Sequence, residues 1–78
     1  MARTSAQGRQ NRVRVARLLR DLTQAQLAEA TGVSRQTIVA IEAGDYAPSV
    51  YLALNVAAVL GETVEGLFAP AGDEGAGS

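Results

Sequence analysis

Between residues 22 and 44 the chain reads LTQAQLAEATGVSRQTIVAIEAG, two short runs with helical spacing of apolar positions on either side of a glycine. In the first run Ala25, Leu27 and Ala28, with Ala30 behind them, form a face of small or compact residues that lets a second helix cross closely. In the second run Ile38 and Ile41 point inward and leave Arg35, Gln36, Thr37, Val39 and Ala40 along the outer face. Each boundary has a local cause. Thr23 with Gln26 three residues on has the form of a capping box, so the first helix starts at Gln24. Gly32 supplies the positive φ of a sharp turn. Ser34 repeats the N-cap for a helix over 35–43, and Gly44 is its natural terminator.

The flanking pattern predicts three more helices. Residues 11–20 contain neither Pro nor Gly and end at Asp21, a residue that tolerates the left-handed conformation. Ser49 caps a strongly apolar helix over 50–60, with Val50, Ala53, Leu54, Ala57 and Leu60 as its inward stripe and Tyr51, Asn55 and Ala58 outward. Gly61 stops that helix, and Thr63 caps a short last one over 64–68 whose Leu67 and Phe68 close the core. The expected architecture is an all-α, compact five-helix bundle over 11–68. A flexible basic arm is expected over 1–10 and a disordered acidic tail over 69–78.

Composition narrows the chemistry. At 78 residues there is room for one small domain, and 47% hydrophobic against 19% charged residues places the chain among globular sequences rather than disordered ones. His, Cys and Lys are absent, so packing holds the fold without disulfides. General acid–base chemistry would rest on Asp, Glu, Ser, Thr or Tyr, and no two carboxylates have the spacing of a paired site. We therefore expect no enzyme, no cofactor and no metal. No apolar run approaches the roughly 20 residues of a membrane span, and MARTSAQGRQ lacks the apolar segment of a secretory signal. The expected location is cytoplasmic, away from any membrane. The net charge of −1 conceals a division along the chain. All seven arginines lie in residues 1–35 against Asp21 and Glu29, a net +5, whereas residues 36–78 carry six acids and no base, a net −6. A folded domain with one positive and one negative side is the expected result.

Two capped helices joined by a glycine turn are the layout of a helix-turn-helix, and Arg and Gln at a helix N-terminus can bond guanine and adenine edges in a major groove. The runs LTQAQLA, GVSRQTIVAIEAG, YAPS and LGETVEGLF, spread over about residues 11–68, closely resemble the Cro and phage-repressor type helix-turn-helix family, often called XRE. Its short stand-alone members are the most similar. The resemblance implies a phage-repressor-like DNA-binding domain whose second and third helices form the motif. It implies sequence-specific binding of a double-stranded DNA operator and transcriptional regulation as a repressor, by a homodimer on a palindromic site.

Carried over residue by residue, base contacts fall on Arg35, Gln36, Thr37 and Ala40, and phosphate contacts on Thr23, Gln24 and Ser34. Tyr46, Arg9 and Arg12 are further phosphate candidates, and Arg17 and Glu42 align with a structural, partly buried ion pair between the first and third helices. Asp21 stands where the family usually has Gly. Asp45 and Tyr46 occupy a loop where many relatives are basic, which lowers the expected affinity.

The first helix offers two competing faces. The family register turns Val13, Ala16 and Arg17 inward, yet Val15, Leu18, Leu19 and Leu22 satisfy the i, i+3, i+4, i+7 rule by themselves. The gap-free anchor Leu22-Thr23-Gln24 favours the family register. That choice exposes Val15, Leu18 and Leu19 together as a candidate protein contact; in the competing register the helix rotates and buries them. An alternative function follows from the exposed patch: an antitoxin or adaptor that keeps the bundle and holds a protein partner through its first helix.

Overall fold

Four of the five helices begin at a hydroxyl side chain that accepts a backbone N–H three residues on: Thr23 from Gln26, Ser34 from Thr37, Ser49 from Leu52 and Thr63 from Gly66. In the computed structural model, which describes residues 11–69, the helices are α1 Val13–Leu19, α2 Gln24–Thr31, α3 Arg35–Ala43, α4 Val50–Leu60 and α5 Val64–Phe68. The arm expected over 1–10, with Arg9, and the tail expected beyond Ala69 lie outside the described residues. At Thr23 the capping box is complete, because the Thr23 N–H donates back to Gln26 Oε1 at 2.8 Å.

The first helix is shorter than expected and starts differently. Asn11 lies before it, and its Oδ1 accepts the Val13 N–H at 3.0 Å, an Asx turn that opens α1. The same side chain donates through Nδ2 to the Ile41 carbonyl at 2.8 Å and so pins the start of α1 to the end of α3. At the other end Asp21 does adopt positive φ, +58°.

Ten buried apolar side chains from all five helices make one core, with Val13, Leu27, Ile38, Ile41, Val56, Leu60 and Leu67 sealed almost completely from solvent. Each buried Leu, Ile or Val of this kind contributes about 1.5–3 kcal/mol relative to exposure. α2 packs most extensively on α3 and then on α4; α5 closes against α4 and α1, and α1 also touches α3. The Thr31 hydroxyl enters the core unanticipated by the pattern and donates to the Leu27 carbonyl at 2.8 Å.

Two inward faces differ from expectation. Ala25 and Ala30 are exposed, so α2 meets its neighbours through Leu27, Ala28 and Thr31. On α4 the buried residues are Ala53, Val56, Ala57 and Leu60, while Val50 and Leu54 are 71% and 53% exposed. α4 has Asn55 as its one clearly polar side chain besides Tyr51, so its periodicity does not select a face, and packing against α2 and α5 does. Among the described residues no helix is long and apolar enough to cross a membrane.

Gly32 and Gly61 both terminate helices with positive φ, but their surroundings differ. A Cβ on Gly32 meets nothing within 4 Å, whereas one on Gly61 would run into the Arg20 guanidinium. Gly32→Ala is expected to cost only the left-handed backbone penalty, about 1–2 kcal/mol. Gly61→Ala is expected to cost about the same, because the atoms in the way are the far end of the exposed Arg20 side chain, which can swing aside. Urea unfolding of the two variants checks this, and a much larger loss at Gly61 would show that Arg20 is held in place.

Candidate nucleic-acid interface

α2 and α3 are set against each other by a turn whose geometry is local. Gly32 takes φ +79°, its N–H and that of Val33 both bond the Ala28 carbonyl at 2.8 and 3.0 Å, and Val33 folds back on the core. Ser34 is extended and caps α3 at once. The first turn of α3 is therefore held in front of the α2–α3 turn, with Ile38 and Ile41 anchoring it from behind.

Arg35 and Gln36 are exposed on that first turn, and Thr37 and Ala40 are half-buried beside them. The structure thus brings all four residues expected at base edges onto one helix end. Thr37 differs from the other polar pair: its hydroxyl lies 3.0 Å from Ser34 Oγ, which also accepts its backbone N–H. The Ser34–Thr37 contact braces the turn. Val39 is 37% exposed and continues the outer face.

Behind α3 lies the interaction that fixes its direction. Arg17 Nε donates to Glu42 Oε2 at 2.6 Å and Nη2 to Oε1 at 3.2 Å, a two-point contact whose side chains are 8% and 4% exposed. Arg17 Nη1 also donates to the Leu22 carbonyl at 2.8 Å, and Gln24 Nε2 donates to Glu42 Oε1 at 3.2 Å. The ion pair expected between α1 and α3 is present, and Gln24 and Leu22 extend it to the start of α2. No buried side-chain nitrogen or oxygen among the described residues lacks a partner.

The phosphate candidates separate. Thr23 and Ser34 stand at the N-termini of α2 and α3. Gln24 opens α2, but its amide is turned to Glu42, leaving the first backbone N–H groups of α2 as the donors that face outward. Tyr46 is half-exposed and lines an apolar cleft between the α3–α4 loop and α5 rather than extending the outer face of α3. Arg12 is exposed at the start of α1, and Arg9 lies outside the described residues. Of the charge concentrated in residues 1–35, Arg17 is consumed in the ion pair, Arg20 lies over Gly61 and Arg12 and Arg14 sit at α1; Arg35 alone among the described arginines heads α3. Asn11 and the second role of Gln24 were missed in the sequence because each depends on a residue 30 or 18 positions away.

Comparison with known proteins agrees with this geometry. The family described as helix-turn-helix matches residues 13–67. An HTH-type transcriptional regulator of Methanocaldococcus jannaschii is 47% identical over 64 residues, 82% of this chain and 97% of that protein. Another, of Methanothermobacter thermautotrophicus, is 54% identical over 48 residues, 60% of this chain and 70% of its own length. Among solved structures, the restriction-modification controller protein C.AhdI from Aeromonas hydrophila superposes with a TM-score of 0.68 at 30% identity, over 73% of this chain and 86% of that one.

Removing one partner of the buried pair leaves the other charge desolvated and unmatched. Arg17→Met is expected to lose about 3–5 kcal/mol of stability, and Arg17→Met combined with Glu42→Leu to lose clearly less than the two single changes together. Equilibrium denaturation of the three variants measures the coupling; additive losses would mean the pair contributes nothing specific.

Proposed function

Because this chain belongs to the helix-turn-helix family, of the Cro and phage-repressor type, we propose that it binds a double-stranded DNA operator sequence-specifically and regulates transcription. The observation that carries the reading is the first turn of α3. Arg35 and Gln36 are exposed on it, while Ile38 and Ile41 of the same helix are sealed in the core. Laid in the major groove, α3 presents Arg35 to guanine and Gln36 to adenine, with Thr37 and Ala40 packing on thymine methyl groups. The N-termini of α2 and α3, at Thr23, Gln24 and Ser34, approach the flanking phosphates through backbone N–H groups. Arg9 and Arg12 add phosphate charge from the start of the chain. Occupancy of an operator by such a bundle obstructs a promoter, so repression in the cytoplasm is the simplest output.

The same reading includes a homodimer, and its contact surface is the cleft at the start of α4. This cleft of about 400 Å³ is walled by Tyr46, Pro48, Val50, Leu54, Val64 and Phe68, and no charged side chain lines it. In a two-fold contact residues near the axis meet their own copies, so a lining without charge avoids like-charge repulsion there. Val50 and Leu54, with Tyr51 83% exposed beside them, supply the apolar area.

Selection of random duplex DNA by the purified protein at near-physiological salt is expected to enrich a palindrome with half-sites about 10 base pairs apart, centre to centre. Arg35→Ala or Gln36→Ala is expected to relax preference at one base pair per half-site, about 1–3 kcal/mol each. A uniform loss over all sequences would assign those side chains to phosphate, and absence of enrichment would overturn the operator reading. Leu54→Glu is expected to yield a helical monomer in sedimentation equilibrium, and a variant that still dimerises would place the contact elsewhere.

A further inference from the structure

α1 presents a second apolar surface, and its chemistry differs from that of the cleft. Val13, Ala16 and Arg17 face inward, which leaves Val15, Leu18 and Leu19 on the outside at 45%, 48% and 75% exposure. At 100° per residue these three occupy a continuous stripe. Exposed Arg14 borders it next to Leu18, and exposed Arg12, just before the helix, borders its N-terminal end near Val15. The one acid between residues 11 and 23 is Asp21, beyond the C-terminal end of the helix.

An apolar stripe with an arginine on either border selects its occupant by charge. A second copy is a poor match, because antiparallel two-fold pairing of α1 offers Arg12 and Arg14 a single acid, Asp21, beside Arg20. DNA satisfies the arginines but leaves Leu18 and Leu19 in water beside phosphates. We propose that this face binds an acidic amphipathic helix of a different protein, its apolar stripe on Val15, Leu18 and Leu19 and its carboxylates against Arg12 and Arg14. The stripe of Val15, Leu18 and Leu19 shares no residue with α3 or with the cleft, and of its bordering arginines only Arg12 is also a phosphate candidate. A regulator with such a face can recruit, or be titrated by, a protein partner without a ligand pocket of its own.

The test uses displayed libraries of peptides roughly four helical turns long. Apolar residues are fixed at i, i+3, i+4 and i+7, and the remaining positions are drawn from Asp and Glu in one library and from Lys and Arg in the other. The acidic library is expected to be enriched on the full chain and the basic one not. For an enriched acidic peptide, fluorescence anisotropy is expected to show at least tenfold weaker binding to Leu19→Glu and to Leu18→Gln, several-fold weaker binding to Arg14→Glu, and unchanged binding to Arg35→Ala. Equal enrichment of the basic library, no enrichment of either, or binding that survives both leucine changes would overturn the proposal. So would conversion of a dimer to a monomer by Leu19→Glu, which would assign the face to a second copy. Loss of helicity in both Leu19→Glu and Leu18→Gln would overturn it too, by returning the stripe to the core. Because Arg35→Ala is the control, failure of DNA binding and failure of this contact are read separately.

Discussion

The orientation of this bundle rests on the buried contact between Arg17 and Glu42. Two charges removed from water cost several kcal/mol each, and their attraction offsets that cost only when the geometry is good and the remaining donors and acceptors are met. Here both conditions hold. The guanidinium spends its other edge on the Leu22 carbonyl, and Glu42 accepts a further bond from Gln24. An apolar pair of the same volume would tolerate many rotations of α1 on α3. The bidentate contact is met only when Arg17 and Glu42 face each other, and through Gln24 it places the N-terminus of α2 within the same network.

From that constraint the division of the surface follows. With Arg17 inward, Val13 and Ala16 must be inward too, and Val15, Leu18 and Leu19 are necessarily outward. On α3 Gln36 lies away from Glu42, while Arg35, seven residues before Glu42 and on the same side, is exposed because it is the first residue of the helix. Three surfaces of different character result: a polar helix end, an uncharged cleft at the start of α4 and an arginine-bordered stripe on α1. Val15, Leu18 and Leu19 of the stripe belong to neither of the other two surfaces.

Among the described residues the arginines of the N-terminal half have separate places: Arg17 in an internal ion pair, Arg20 over Gly61, and Arg12 and Arg14 at the rim of an apolar stripe. Arg35 remains at the head of α3. Affinity for DNA would then lean on helix N-termini and base contacts more than on a broad field, and the acidic Asp45 after α3 points the same way.

The sequence by itself determined where each helix from α2 onward begins and ends, because caps and positive-φ glycines act within four residues and need no tertiary partner. It also determined that Gln36 is on the outer side of α3, since the two buried isoleucines at i and i+3 lie nearly opposite to it, and that Arg35 is at the helix start, where the Ser34 cap places it. The inward face of α1 was legible only through the family register, because its own apolar spacing favoured the opposite side. Tertiary structure alone decided that Val56, and not Val50 or Leu54, enters the core, because α4 is apolar around most of its circumference and only packing on α2 and α5 distinguishes its sides. It alone decided the roles of Asn11 and Gln24, whose partners lie far along the chain. Short-range hydrogen bonds can be read from neighbouring letters; the choice among equally apolar faces depends on contacts that exist only when the helices meet.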